Sequence, residues 1–240
     1  MPRLSRAELA ATIDHTLLRA TATAAQVEQL CREAHAGGFF SVCVQPSRVA
    51  LARATLASLG ASAKVCTVIG FPLGANTPAI KAAEAAQAVA DGADELDMVI
   101  ALGALRDGDE AAVLADIQGV VGAAGGEHLT KVILETALLT PEEIDVACRL
   151  GVAGGARFVK TSTGFGPGGA TVAAVQRMRA AVGPEFGVKA SGGIADAAAA
   201  RAMLAAGASR LGASASVAIV AGWDEDVPFD RVVGTGQEQT

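Results

Sequence analysis

Eight short strand-like segments alternate along this chain of 240 residues with longer alanine-rich segments, and this alternation constrains the fold most. The longer segments repeat their apolar residues with a helical period, so a helix is predicted after each strand. Strands that alternate with helices usually form a parallel sheet, because each helix carries the chain back to the same end of the sheet. The predicted strands are 11–17, 39–44, 64–70, 94–100, 130–136, 157–163, 185–191 and 209–213.

Glycines and helix caps support these boundaries. A glycine stands between each helical segment and the next strand, where a left-handed residue commonly ends a helix. These positions are Gly37/Gly38, Gly60, Gly92, Gly125/Gly126, Gly154/Gly155, Gly183 and Gly207. Thr140 before Pro141 and Thr77 before Pro78 have the residue types that start helices.

The spacing of the units predicts the fold. Reference residues in successive strands lie 23 to 36 positions apart, which leaves room for one strand and one helix. Eight such units in about 250 residues form a (β/α)₈ TIM barrel, whose reacting groups lie at the C-terminal ends of the strands. A doubly wound open sheet is the alternative, but its strands are usually continuous apolar runs. We predict an α/β TIM-barrel domain over residues 1–223, followed by a mobile tail over 224–240.

Two predicted strands contain a lysine and lead into glycine-rich loops. Lys160 lies in 157–163 and Lys189 in 185–191. An ammonium group removed from water must find a partner or become a neutral amine, and a neutral amine is a nucleophile. On neighbouring strands the positive charge of one lysine would favour the neutral form of the other. The pair therefore indicates Schiff-base chemistry.

Strand alternation predicts which acidic side chains meet these lysines. Asp97 would face the barrel interior and could accept and return a proton for Lys160, although a purely structural ion pair is the alternative. Lys131 and Glu135 share one face of their predicted strand, and we expect them to pair with each other.

The first strand bears on metal binding. Asp14 and Thr16 share one face of this strand, whereas His15 points the other way. Asp14 and His15 therefore cannot both reach one interior ion, and the three histidines show no ligand spacing. We expect chemistry without a metal.

Loops rich in glycine and serine follow strands six, seven and eight. Their backbone N–H groups and hydroxyls would suit a phosphate, which barrels often bind with the loops after strands seven and eight. Gly164, Gly166 and Gly169 also fit the G-x-G-x-x-G pattern of dinucleotide-binding folds. Pro167 inside the loop, and Lys189 where an acidic ribose ligand would be expected, argue against that alternative.

Composition restricts the partners. A net charge of −6, no tyrosine and one tryptophan argue against a nucleic-acid-binding surface. We expect no membrane partner, because no apolar run has the length of a membrane span and the N-terminal residues lead into no signal-peptide core. The four cysteines form no C-x-x-C pair and fit a reducing cytoplasm. We expect a small-molecule partner and a homo-oligomer, either a dimer or a tetramer.

Six segments together closely resemble the deoxyribose-phosphate aldolase family, in order from about residue 11 to residue 223. They are DHTLL (14–18), DELDMV (94–99), KVILET (131–136), FVKTSTG (158–164), VKASGG (188–193) and RLGAS (210–214). The resemblance implies a metal-free class I aldolase on a TIM barrel that needs no cofactor. Its expected reaction is the reversible cleavage of 2-deoxy-D-ribose 5-phosphate to D-glyceraldehyde 3-phosphate and acetaldehyde.

The same resemblance implies roles for individual residues. Lys160 matches the Schiff-base lysine, Lys189 the second lysine that activates it, and Asp97 the carboxylate of a proton relay. Asp14 and Thr16 match positions near the sugar hydroxyl. The residues that match the phosphate-binding loops are Gly164, Gly192, Gly193, Gly212 and Ser214.

Two departures from the family pattern modify these expectations. Phe165 stands where some members have a lysine, so phosphate binding would rely more on backbone groups here. The chain has no tyrosine, so a tyrosine in a C-terminal tail cannot contribute to the site. Another Schiff-base aldolase or transaldolase, a non-catalytic sugar-phosphate-binding barrel and a nicotinamide dehydrogenase are the alternative functions.

Overall fold

Eight parallel strands follow one another around a closed barrel in the order in which they occur in the chain, and β8 pairs with β1. The computed structural model describes residues 3–228, so residues 229–240 of the predicted tail lie outside the described residues. The predicted (β/α)₈ barrel is confirmed. The strands are β1 Ile13–Leu17, β2 Ser41–Val44, β3 Lys64–Ile69, β4 Glu95–Val99, β5 Leu129–Ile133, β6 Phe158–Lys160, β7 Gly187–Ser191 and β8 Arg210–Ala213.

Ten α-helices surround the barrel within residues 3–228. They are α1 Arg6–Ala10, α2 Ala24–Gly37, α3 Val49–Ser58, α4 Pro78–Ala90, α5 Leu102–Arg106, α6 Glu110–Ala124, α7 Pro141–Ala153, α8 Val172–Val182, α9 Ala197–Ala205 and α10 Ser216–Ala221. The short helices α1 and α5 add to the eight that the alternation predicts. No helix of this part of the chain has the length and apolar character needed to cross a membrane.

Local signals explain why the helices begin and end where they do. Gly38 ends α2 with a φ of 65° and a ψ of 33°, the left-handed conformation that favours glycine. Each of the seven predicted glycine positions contains one glycine with positive φ. Thr140 begins α7 with a capping box, because its hydroxyl accepts from the N–H of Glu143 and the Glu143 carboxylate accepts from the N–H of Thr140.

The strand β6 is shorter than predicted, since it ends at Lys160. The polar residues after it bond to β7 with both backbone and side chain. The Thr161 N–H donates to the Lys189 carbonyl at 3.0 Å, and the Thr161 hydroxyl donates to the Ser191 carbonyl at 3.1 Å. The loop after Lys160 is therefore held against β7 without a regular strand.

Alternate residues of each strand point in opposite directions and separate two environments. Outward side chains such as Val42, Leu96 and Val159 are fully buried against the helices in one apolar core. Inward side chains are largely polar. The register aligns Asp97 with Lys131 and Lys160 with Lys189, so charged residues of neighbouring strands meet inside the barrel.

Candidate active site

Seven charged side chains meet inside the barrel, and none is more than 3% exposed. We call this group the interior charge cluster. It contains three carboxylates and four cations, contributed by β1 and by β4 to β8. The members are Asp14, Glu95, Asp97, Lys131, Lys160, Lys189 and Arg210.

Asp97 lies at the centre of the cluster and contacts three lysines. Its Oδ1 accepts from Lys131 at 2.8 Å, and its Oδ2 accepts from Lys160 and from Lys189, each at 2.8 Å. Burial alone would raise the pKa of Asp97, but the three ammonium groups together hold it well below its usual value. The group is therefore a carboxylate, in contact with Lys160 as strand alternation predicts.

Asp14 is the second carboxylate of the cluster that contacts several partners. Its Oδ2 contacts Lys189, and its Oδ1 accepts from Arg210 at 3.0 Å and from Ser41 at 2.8 Å. Burial would raise the pKa of Asp14, but Lys189 and Arg210 outweigh burial and hold it far below the usual range. Asp14 is fully enclosed by these partners.

Lys189 is held as an ammonium group between two carboxylates. Burial would lower its pKa, but Asp14 and Asp97 outweigh this effect and raise the pKa above the usual value. Lys189 therefore places a permanent positive charge next to Lys160, its register partner on β6.

The expected pair of Lys131 and Glu135 is wrong. Lys131 contacts Glu95 at 2.5 Å and Asp97 instead. Strand β5 ends at Ile133, so the alternation used for the prediction does not extend to Glu135. Glu135 has a left-handed backbone, with φ 56° and ψ 59°, and its carboxylate accepts from the N–H and the hydroxyl of Thr163. It fastens the loop that follows Lys160.

His15 points away from the cluster, as predicted. Its Nε2 lies 2.8 Å from the Glu33 carboxylate and its Nδ1 lies 3.0 Å from the Ser216 hydroxyl. Thr16 points inward, and its hydroxyl donates to the Asp14 carbonyl at 2.8 Å.

A cavity of about 740 Å³ opens above the cluster at the C-terminal ends of the strands. Lys160 lines this cavity, whereas Lys131, Lys189 and Asp97 lie beneath its wall. Thr16 and all of the predicted phosphate-loop residues also line it. Those loop residues are Gly164, Gly192, Gly193, Gly212 and Ser214.

Positive φ angles at Gly164, Gly192 and Gly193, between 78° and 86°, explain why these positions are glycine. The loops after β6 and β7 also pack closely, because a Cβ on Gly169 would lie 2.3 Å from the Gly192 carbonyl oxygen. Backbone therefore forms much of this part of the wall.

Two cysteines extend the polar interior next to Asp97. Cys66 donates its thiol to Asp97 Oδ1 at 3.3 Å, and Cys43 is its register partner on β2. With Asp97 they bring three possible metal-ligand atoms within 4.8 Å of one another. Because three ammonium groups already contact Asp97, the local positive charge disfavours a cation at this position.

Arg210 and Glu95 received no role from the sequence, although both belong to the cluster. Arg210 donates to Asp14 and lies 3.3 Å from Glu95 Oε2. Its guanidinium also stacks on Phe40, with its central carbon 3.3 Å from the ring centroid. The sequence did contain a signal for Arg210, since strand alternation places it on the same strand face as Gly212, a residue of the predicted phosphate-binding loops.

Comparisons with known proteins agree with this architecture. Residues 9–223 match the model of the DeoC/LacD family aldolases. The deoxyribose-phosphate aldolase of Exiguobacterium sibiricum is 57% identical over 92% of this chain and 99% of that protein. The deoxyribose-phosphate aldolase of Enterococcus faecalis is 57% identical over 90% of this chain and 97% of that protein.

A solved structure gives the same result at the level of the fold. The deoxyribose phosphate aldolase of Aeropyrum pernix, described as a tetramer, superimposes with a TM-score of 0.84 at 35% identity. The superposition covers 90% of this chain and 91% of that one. With its closed barrel and a family match over most of its length, the chain belongs to the DeoC/LacD family of aldolases, which are lyases.

Proposed function

We propose that this enzyme cleaves 2-deoxy-D-ribose 5-phosphate reversibly to D-glyceraldehyde 3-phosphate and acetaldehyde, through a Schiff base on Lys160. The position of Lys160 carries the proposal, because it is the one lysine within residues 3–228 that lines the cavity. The names of the curated relatives support the choice of substrate.

The charge balance of the cluster supports Lys160 as the nucleophile. Three carboxylates face four cations, and an unbalanced charge in a buried site is costly. Arg210 cannot lose its proton, and Lys131 and Lys189 each contact at least two carboxylates. Within residues 3–228 Lys160 contacts Asp97 alone among the carboxylates. A neutral amine at Lys160 balances the cluster with the smallest loss of ion pairing.

The proposed reaction begins when the Lys160 amine attacks the C1 carbonyl of the open-chain sugar. Loss of water gives a protonated imine, which accepts the electron pair of the C2–C3 bond as that bond breaks. The C3 hydroxyl loses its proton to a base, and D-glyceraldehyde 3-phosphate leaves. Protonation of the enamine at C2 and hydrolysis then release acetaldehyde and restore Lys160.

We assign the proton transfers to Asp97, which contacts Lys160 and is ionised in the free enzyme. Lys189 acts as a fixed positive charge that favours the neutral amine of Lys160. Thr16 on the cavity wall and Asp14 beneath it are proposed to position the sugar hydroxyls. The phosphate is proposed to bind at the loops that contain Gly164, Gly192, Gly193, Gly212 and Ser214.

Borohydride trapping tests the chemical core of this proposal. Acetaldehyde and borohydride together should attach one ethyl group to the enzyme, and peptide mass spectrometry should locate it on Lys160. Lys64 and Lys81 serve as internal controls, because Lys64 is exposed and Lys81 is buried in an ion pair with Asp116 away from the cavity. A modified enzyme without an ethyl group on the Lys160 peptide would refute the Schiff-base assignment.

A substrate panel tests the specificity. Cleavage of 2-deoxy-D-ribose 5-phosphate should exceed that of hexose bisphosphates and of transaldolase substrates, and NAD should not bind. Turnover of another sugar phosphate in preference would replace the proposed substrate while leaving the lysine chemistry intact.

We also propose that residues 1–223 form the catalytic domain and that the enzyme assembles into a homo-oligomer. The tetramer described for the Aeropyrum pernix relative supports the second point. Light scattering on the full chain should give the mass of a dimer or a tetramer, and a monomeric mass would contradict this proposal.

A further inference from the structure

The loops proposed to bind the substrate phosphate place no lysine or arginine on the cavity wall. Their wall residues within residues 3–228 are Thr163, Gly164, Phe165, 191–195 and 212–215, all uncharged. A phosphate monoester carries a charge of about −1.5 to −2 at pH 7. Backbone N–H groups can bind its oxygens, but they do not neutralise that charge. A cation from another part of the wall would complement that charge.

Arg19 is placed to supply it. It follows the end of β1 by two residues, and β1 pairs with β8 through Asp14 and Gly212. The loop after β1 is thus the next one along the rim from the loop after β8. Arg19 lines the same cavity as Gly212 and Ser214. Apart from Lys160, it is the one lysine or arginine on this wall within the described part of the chain.

The Arg19 guanidinium is available for a ligand. It is exposed, and it forms no hydrogen bond or ion pair with any residue between 3 and 228. Glu33 is the carboxylate on the same cavity wall, but it bonds to His15 and to Gln29 instead. Arg48 differs from Arg19, since its guanidinium donates to the Ala22 carbonyl.

We infer that Arg19 binds the phosphate of the substrate and sets the preference of the enzyme for phosphorylated sugars. This inference rests on the proposed function and adds a residue from β1 to the phosphate site. A planar guanidinium can donate two parallel hydrogen bonds to two phosphate oxygens, which a single ammonium does less well. Because the phosphate is remote from the bond that breaks, Arg19 contributes mainly to substrate binding.

The test compares two substrates that differ by the phosphate alone. In Arg19→Leu, we expect the KM for 2-deoxy-D-ribose 5-phosphate to rise by about ten- to a hundredfold, the range for losing a charge-assisted hydrogen bond. The kcat for this substrate and the kcat/KM for unphosphorylated 2-deoxy-D-ribose should stay within about twofold, since neither depends on the lost contact. Arg19→Lys should recover part of the affinity.

Arg149→Leu is the matched control, because Arg149 is an exposed arginine on α7 that does not line the cavity. Arg149→Leu should leave the kcat and KM for both substrates unchanged. The melting temperature of Arg19→Leu should equal that of the wild type, since the side chain makes no contact that a folded-state role would require. The ratio of kcat/KM for the phosphorylated sugar to kcat/KM for the unphosphorylated sugar measures the phosphate preference. An equal ratio in the wild type and in Arg19→Leu would overturn the inference.

Failure of the proposed function can be told apart from failure of this inference. If the wild-type enzyme cleaves neither sugar, the proposed function is wrong, and calorimetry with sn-glycerol 3-phosphate then tests Arg19 by itself. Binding about tenfold or more weaker in Arg19→Leu than in the wild type supports the inference. Equal binding, or no binding to the wild type, overturns it.

Discussion

Replacing Asp97 by asparagine tests the interior charge cluster, because the substitution keeps the shape of the side chain and removes its charge. The wild-type cluster has three carboxylates for four basic side chains, and the variant has two carboxylates for the same four. The three lysine amino groups that contact Asp97 at 2.8 Å would then meet an amide whose NH₂ group cannot accept from them.

The structure allows the size of the effect to be worked out. Removing one partner of a buried ion pair costs about 3–5 kcal/mol, because the remaining charge is left without compensation. The free energy of unfolding should fall by that amount, which for a domain of this size lowers the melting temperature by roughly 6–20 °C. Loss of the proposed proton relay should also lower kcat by about 10²- to 10⁴-fold.

The assay combines urea denaturation, turnover of 2-deoxy-D-ribose 5-phosphate and borohydride trapping, each at a temperature where the variant is folded. Trapping with acetaldehyde should persist, since Lys160 remains. Asp116→Asn is the matched control: this buried carboxylate bonds to Lys81 at 2.6 Å away from the cavity. It should lose stability to a similar extent and keep its kcat.

Three results would count against the reasoning. An Asp97→Asn variant whose free energy of unfolding lies within about 1 kcal/mol of the wild type would show that Asp97 does not compensate the buried cations Lys131 and Lys189. A kcat equal to that of the wild type would remove Asp97 from the proton transfers. A fall in kcat that Asp116→Asn reproduces would assign the effect to stability alone.

Three further predictions follow from the same contacts. Lys189→Leu should lower kcat and move the pH–rate profile to a higher pH, because the fixed positive charge beside the nucleophile is lost; an unchanged profile would contradict its proposed role. Glu135→Gly should have a free energy of unfolding in urea about 1 kcal/mol higher than that of Glu135→Ala. Both variants lose the bond to Thr163, but glycine alone tolerates the left-handed backbone. Equal stability of the two variants would argue against backbone strain at position 135. The folded pKa values of Asp14 and Asp97 lie below the unfolded value of 3.8, so the unfolded chain takes up protons first as the pH falls. Their contribution to stability should therefore be complete above about pH 5 and decline below about pH 4, and chemical denaturation across this range checks the slope.

The fold could be predicted because its signals are local. Seven helix ends are marked by a glycine whose positive φ the structure confirms, and Thr140 and Pro141 begin α7 as expected. The ends of the strands depend on tertiary contacts instead. Strand β6 ends at Lys160, and the hydroxyl of the next residue, Thr161, bonds to the Ser191 carbonyl, a partner 30 residues further along the chain.

The site was predictable wherever strand alternation holds. Lys160, Lys189 and Asp97 lie within strands, and their side chains meet as the period of two requires. Glu135 was misassigned because it lies just beyond a strand, in a backbone conformation that is uncommon for glutamate. No residue type next to Glu135 in the sequence indicates that its backbone is left-handed. The glycine-rich loops predicted part of the cavity wall, whereas the part formed by α2 had no signal in the sequence.

The closure of the barrel between β1 and β8 has a consequence for synthesis. Asp14 leaves the ribosome before its partner Arg210, which follows 196 positions later. A contact of such long range forms late in folding, because closing the loop is entropically costly. A nascent chain that ends before β8 therefore has its lysines but lacks Arg210, the cation that pairs with Asp14 across the closure. Such a chain cannot complete the charge cluster, so all seven charged side chains come together only when β8 has joined the barrel.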